Sequence, residues 1–157
     1  MNITLIMVGN TSETYVKNGY EMFITRLKHY INFKEIVIPD IKERKNLSAE
    51  QVKEKECALI LNKLSSVSHI VLLDEKGKEF SSVEFSGFLQ KHMNMGCKEM
   101  CVIIGGAYGV AETLKQKAHT TLSLSQMTFT HQFIRLMIAE QLYRAMTILK
   151  NEPYHNN

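Results

Sequence analysis

A chain of 157 residues with 45% hydrophobic and 22% charged residues has the size and balance of one globular domain, residues 1–157, with a buried core. No stretch approaches the roughly 20 apolar residues that a membrane span needs, which excludes a transmembrane helix. A formal charge of +3 is too mild to hold nucleic acid by charge alone, so an RNA partner is permitted, through local or subunit-shared contacts, without being demanded. The opening "MNITLIMVGN" lacks the basic start and cleavage site of a secretion signal. It reads as a first strand, Ile3 to Val8, and the expected compartment is the cytoplasm. Val16, Tyr20, Phe23, Ile24, Leu27 and Ile31 then recur at helical spacing. "FKEIVIP" is a second strand, stopped by Pro39. Asp40 to Leu47, with Lys42, Arg44 and Lys45, is a charged loop that reads equally as an RNA contact or as a solvated turn.

Ser48 with Gln51 three residues on makes a capping-box start for a helix through about Leu64. "HIVLLD" is an almost wholly apolar third strand, as expected when both faces of a sheet are covered. Ser81 and Glu84 repeat the capping signature ahead of Phe85, Phe88, Leu89 and His92. "MCVIIGG" is the fourth strand, Ala111 to Lys117 a short helix, and "TTLSLS" a short fifth strand. His131 to Leu149 is a long amphipathic helix, apolar over more of its girth than one-sided packing needs. Strand and helix in alternation predict an α/β fold, a mainly parallel sheet with helices on both faces.

The turn in "CVIIGGAYGV" bears on chemistry. A Walker-type phosphate loop is excluded, because Val110 and Ala111 stand where the second glycine and the lysine should be. The spacing Gly105, Gly106, Gly109 is not the dinucleotide fingerprint, and it follows the fourth strand rather than the first. A tight chain reversal and a close approach to a ligand both remain open. The three cysteines, Cys57, Cys97 and Cys101, are too few and odd in number for a complete disulfide framework. Cys97 and Cys101, with His92 nearby, read as buried thiols rather than a metal site, since no second pair accompanies them.

Four blocks together carry a resemblance: "LLDEKGKEFSS" (72–82), "IIGGAYGV" (103–110), "LSLSQMTFTHQFIRLMIAEQLYRA" (122–145) and the terminal "PYH". Over essentially its whole length the chain resembles the ribosomal RNA large subunit methyltransferase H family, in the knotted SPOUT class of S-adenosylmethionine-dependent methyltransferases. The resemblance implies a C-terminal trefoil knot and a homodimer meeting through its first and last helices. It implies S-adenosylmethionine as cofactor, no metal and no membrane partner. The donor contacts it implies fall on Leu73, Gly105, Leu124, Ser125, Gln126, Met127, Thr128 and Phe129. All lie at carboxyl ends of expected parallel strands, where such sheets place ligands. A glycine at 105 is expected to let the chain approach the donor.

The implied reaction is methylation of N3 of a pseudouridine in large-subunit (23S) ribosomal RNA, on the assembled ribosome. The implied catalytic residues are Arg144, Tyr154 and His155, brought by one subunit's tail to its partner's donor site. Two departures stand out. Thr130 replaces the family's usual proline and is expected to serve as the helix N-cap. Asn156 stands where a basic residue is common. His131 and Arg135, one helical turn apart, read either as RNA contacts or as a helix-start histidine and a solvated arginine. Two other functions are weighed beside methyl transfer. One is a non-catalytic ribosome-associated RNA-binding protein of the same fold, favoured only by Asn156; the other is a dinucleotide-using α/β enzyme.

Overall fold

A computed structural model describes residues 1–42, 44–64, 67 and 69–155; Asn156 lies outside the described residues. The chain runs β1 (Asn2–Val8), α1 (Thr14–Leu27), β2 (Asn32–Ile38), α2 (Ala49–Leu61), β3 (His69–Glu79), α3 (Ser82–Asn94), β4 (Glu99–Ile104), α4 (Glu112–Lys117), β5 (Thr120–Ser123) and α5 (His131–Leu149). The strands form one sheet in the order β2-β1-β4-β3-β5, and every neighbouring pair is parallel.

Period-two alternation divides the core between the two faces. Ile3, Leu5 and Met7 point to one face and pack with Tyr20, Ile24 and Leu27 of α1, Phe85 and Leu89 of α3, and Ile138, Leu142 and Met146 of α5. Ile6 and Val8 point to the other face, with Cys101 and Ile103 of β4, Cys57 and Ile60 of α2, and Leu114 of α4. Each fully buried large aliphatic side chain contributes about 1.5–3 kcal/mol, so the sheet is clamped from both sides. Among the described residues no helix is long and apolar enough to cross a membrane.

Local signals set the helix starts. Ser48 and Ser81 each accept a hydrogen bond from the backbone N–H three residues on, and Gln51 and Glu84 reach back to complete both capping boxes. The Thr130 hydroxyl accepts from the Phe133 N–H at 3.2 Å, so α5 starts where expected without a proline. Three boundaries differ from expectation. Ile31 lies past the end of α1, α2 stops at Leu61, and β5 stops at Ser123.

The larger difference is β3, which does not end at Asp74 but runs on to Glu79. Leu73 is the last residue that it pairs with β4. Beyond a register shift, Lys78 and Glu79 pair again with Leu122 and Ser123 of β5. Gly77 makes this possible: a Cβ there would lie 2.7 Å from the backbone of Thr121 and Leu122. The polar extension gains its partner strand only because the two backbones can nearly touch.

Because the sheet is parallel, the turns after β1, β3, β4 and β5 gather along one edge. The start of α5 returns to that edge beside β1. Gln132 donates to the Asn10 carbonyl and accepts from the Ser12 N–H, both at 3.0 Å.

Candidate active site

The carboxyl edge of the sheet holds a cavity of about 620 Å³, within the usual range for small-molecule sites. Leu73, Gly105, Leu124, Ser125, Met127, Thr128 and Phe129 line it, along with Asp74, Glu75, Ala107, Gly109, Tyr15 and His131. Seven of the eight residues expected at a donor site therefore line the same cavity. Gln126 is not part of the lining; its side chain instead donates to the Glu79 carboxylate at 3.1 Å. Thr128 does line the cavity, while its hydroxyl donates to Glu75 at 2.7 Å. The two bonds fasten the loop after β5 to the extension of β3. Inside that loop, Ser123 Oγ donates to the Ser125 carbonyl and Ser125 Oγ accepts from the Met127 N–H.

The reason expected for glycine at 105 needs correction. A Cβ there would meet Val110 Cγ1 at 2.6 Å and the Gly109 carbonyl oxygen at 3.1 Å. The obstacle is the chain's own turn, not the cavity. Gly106 is constrained from the other side, where a Cβ would lie 2.5 Å from the carboxylate of Glu56. These glycines let the turn fold tightly, and the folded turn then forms a cavity wall.

Arg135 also departs from both expectations, since it is neither solvated nor free to meet RNA. It is fully buried, with Nη2 donating to the Val8 carbonyl at 2.5 Å and Nη1 donating to Thr11 Oγ1 at 2.8 Å. Nε has no partner. Its guanidinium ties α5 to the turn after β1, at the edge of the cavity. His131 lies in the lining, where burial and then the nearby Arg135 and Arg44 cations hold its pKa below the usual imidazole value, against a smaller pull from Asp40. It is neutral at neutral pH.

Arg144, Tyr154 and His155 come together at the other end of α5, where Glu140 joins Arg144 to Tyr154 and Arg144 in turn meets His155. One oxygen of the Glu140 carboxylate accepts from Arg144 Nε at 2.8 Å, Arg144 Nη2 at 2.5 Å and the Tyr154 hydroxyl at 3.2 Å. The Arg144 guanidinium lies 4.7 Å over the Tyr154 ring, and its Nη1 is 3.3 Å from His155 Nδ1. Tyr154 packs edge-on against Tyr143 at 4.8 Å. Burial, and then Glu140, raise the Tyr154 pKa, so its hydroxyl stays protonated and able to donate. None of these three residues lines the cavity. Along α5, Arg144 lies about 20 Å beyond His131 at 1.5 Å per residue.

A second hollow of about 500 Å³ shares Leu122 and Leu124 with the cavity and runs between Phe23, Phe85, Leu136 and Met137 as far as Glu140. It is an apolar face laid across α1, α3 and α5.

Residues 1–155 match the family described as "Predicted SPOUT methyltransferase". The chain is 53% identical to a Flavobacterium johnsoniae protein and 51% identical to one from Parabacteroides distasonis, each over 156 residues and 99% of both chains. Both are named "Ribosomal RNA large subunit methyltransferase H". The chain belongs to this SPOUT methyltransferase family. A probable methyltransferase from Bordetella pertussis shares the fold, with a TM-score of 0.58 at 12% identity over 92% of this chain and 96% of that one.

The methyl donor of this methyltransferase is S-adenosylmethionine, which supplies an activated methyl group on a sulfonium. The cavity residues suit such a group. Leu73, Leu124 and Met127 offer apolar surface of the kind on which a flat base packs, and the backbone of residues 124–125 and 127–129 borders the cavity where it would read that base's edge. Asp74 and Glu75 supply negative charge for a cation. Burial pushes the Asp74 carboxyl up, but the Lys76 N–H and Lys115 outweigh it and leave its pKa below the usual value. Asp74 is therefore ionised, 3.3 Å from the Lys115 ammonium.

Two residues escaped the sequence reading. Glu140 had a signal, since it stands four residues before Arg144 on one helix face. Glu56, buried under the glycine turn, had none, because its role depends on a contact with Gly106, far away in the sequence.

Proposed function

We propose that this methyltransferase methylates N3 of a pseudouridine in 23S ribosomal RNA, on the assembled ribosome and hence in the cytoplasm. The observation that carries the reading is the cavity, which three strand-end segments line in a SPOUT methyltransferase whose relatives are named for ribosomal RNA. Leu73, Gly105 and the backbone of Leu124, Ser125, Gln126, Met127, Thr128 and Phe129 hold the donor. N3 of the base carries a proton, so its lone pair is not free for attack until that proton departs. His155 accepts it, Arg144 stabilises the negative charge that develops on the base, and Tyr154 stacks on the base or donates a hydrogen bond to it.

The working unit is a homodimer. Within one chain the tail cluster lies far along α5 from the cavity, and an antiparallel second copy would bring its tail to the donor. The apolar hollow across α1, α3 and α5 supports contact through those helices. A trefoil knot belongs to the same reading, as does a single domain over residues 1–157. It is supported by the path from edge strand β5 across the ends of β3 and β4 to the turn after β1.

The test is methyl transfer from labelled donor to ribosomes that lack the modification, followed by mass-spectrometric mapping of the RNA. One methyl at N3 of a large-subunit pseudouridine is expected. A methyl on another atom or nucleotide would overturn the assignment. Donor binding without any transfer would favour the non-catalytic, ribosome-binding reading.

A further inference from the structure

Tyr108 stands at the tip of the glycine turn, and nothing in the donor site accounts for it. It is 51% exposed, although its neighbours Ala107 and Gly109 both line the cavity. The turn that presents it is held firmly. The Gly109 N–H donates to the Gly106 carbonyl at 3.0 Å, and Gly109 takes a φ of +80° that favours glycine. Gly105 is packed against Val110, and Gly106 against Glu56. A half-exposed aromatic ring is thus fixed in direction at the rim of the cavity.

One face of the ring is covered. The Arg44 guanidinium, from a single turn of 3-10 helix at Arg44–Asn46, lies 4.6 Å from its centroid. Lys42 and Lys45 flank Arg44 and are exposed. The charged loop after β2 is therefore docked on the turn after β4 through a planar cation stacked on an aromatic ring, with further cations beside it. A stacked base and a neighbouring phosphate are what such a pair holds. A protein with a net charge of only +3 must grip RNA through local features of this kind.

We infer that Tyr108 and Arg44 form a stacking platform for an unpaired nucleobase of the substrate RNA, adjacent to the base that is methylated. The open face of Tyr108 takes the base, and Arg44, with Lys42 and Lys45, meets the backbone phosphates. The inference rests on the RNA substrate proposed above and adds a contact outside the donor cavity. It makes Tyr108 a determinant of substrate affinity, not a catalytic residue.

The experiment compares Tyr108→Phe, Tyr108→Leu and Arg44→Ala with the unaltered protein. Ribosome co-sedimentation, steady-state methyl transfer and calorimetric donor affinity are measured, with thermal melting as the check on folding. Tyr108→Phe should behave as the unaltered protein. Tyr108→Leu, which keeps apolar bulk without a ring, should raise KM for ribosomes about tenfold, in line with the loss of one stacked base. Arg44→Ala should raise KM and flatten its salt dependence. Donor affinity should be unchanged in all three. Equal ribosome binding and KM for Tyr108→Leu would overturn the platform while leaving the methyltransferase reading intact. So would a matching loss of donor affinity, which would make Tyr108 part of the cavity wall. Failure of the unaltered protein to bind or methylate ribosomes would overturn the proposed function, and the platform with it.

Discussion

Removing the Glu140 carboxylate is the sharpest perturbation of the tail. That one group accepts two hydrogen bonds from Arg144 and one from Tyr154. A hydrogen bond to a charged group contributes about 1.5–3 kcal/mol. Here the Arg144 and Glu140 side chains are 26% and 19% exposed, so solvent screening brings the ion pair toward the lower end of that range. Other contacts persist without it: Tyr154 against Tyr143, and the Tyr30 hydroxyl donating to Glu152. The tail therefore loosens by roughly 2 kcal/mol, and the ratio of ordered to disordered Tyr154 and His155 falls about 30-fold. Glu140→Ala should lower kcat by up to about 30-fold with donor affinity unchanged, and Glu140→Gln, which keeps an acceptor, should fall between. Steady-state kinetics with ribosomes, alongside donor calorimetry, reads both quantities. Unchanged kcat in Glu140→Ala would refute the view that this carboxylate orders the tail. An equal loss of donor binding would refute the separation of tail from cavity.

Other variants probe the frame around the cavity. Arg135→Met removes the buried cation but leaves the Val8 carbonyl unpaired; a loss of about 1–3 kcal/mol should appear as a lower Tm, and an unchanged Tm would contradict the tethering role. Gly105→Ala should weaken donor binding by displacing the turn, and adding Val110→Ala should restore part of it, because Val110 Cγ1 is the nearest obstacle. No recovery in the double variant would point to the Gly109 carbonyl as the decisive clash. His69 lies at the opposite end of the sheet, with ring centroids 4.1 Å from His92 and 5.0 Å from His119. Burial, and then those two imidazoles, lower its pKa to about 4. The native state thus favours neutral His69, and the stability that depends on its neutrality is present above about pH 6.5 and lost as pH falls toward 4. Urea unfolding across that window should show a smaller loss of stability for His69→Gln than for the unaltered chain, and equal losses would contradict the assignment.

Much of the frame was legible because its signals are local. Capping boxes at Ser48 and Ser81 and the hydroxyl of Thr130 name helix starts within four residues of sequence, and apolar alternation marks β1 and β4. The extension of β3 was not legible. "EKGKE" carries no alternation, and the value of Gly77 depends on how closely β5 passes. Arg135 shows the opposite failure. It falls on the buried stripe with Ile138, Ala139 and Leu142, yet its charge argued for solvent; only the Val8 carbonyl and Thr11, more than a hundred residues away, explain its burial. At the site, the cavity wall followed from family position and strand ends. The Glu140 hub required seeing where the tail folds back.

The most direct test of the account is a crystal structure with S-adenosylmethionine or its demethylated product bound. Density for the adenosine should lie against Leu73, Gly105 and the 124–129 loop, with His155 of a second subunit approaching the methyl position. Density in the apolar hollow between Phe23 and Phe85, or anywhere away from Gly105 and that loop, would contradict it.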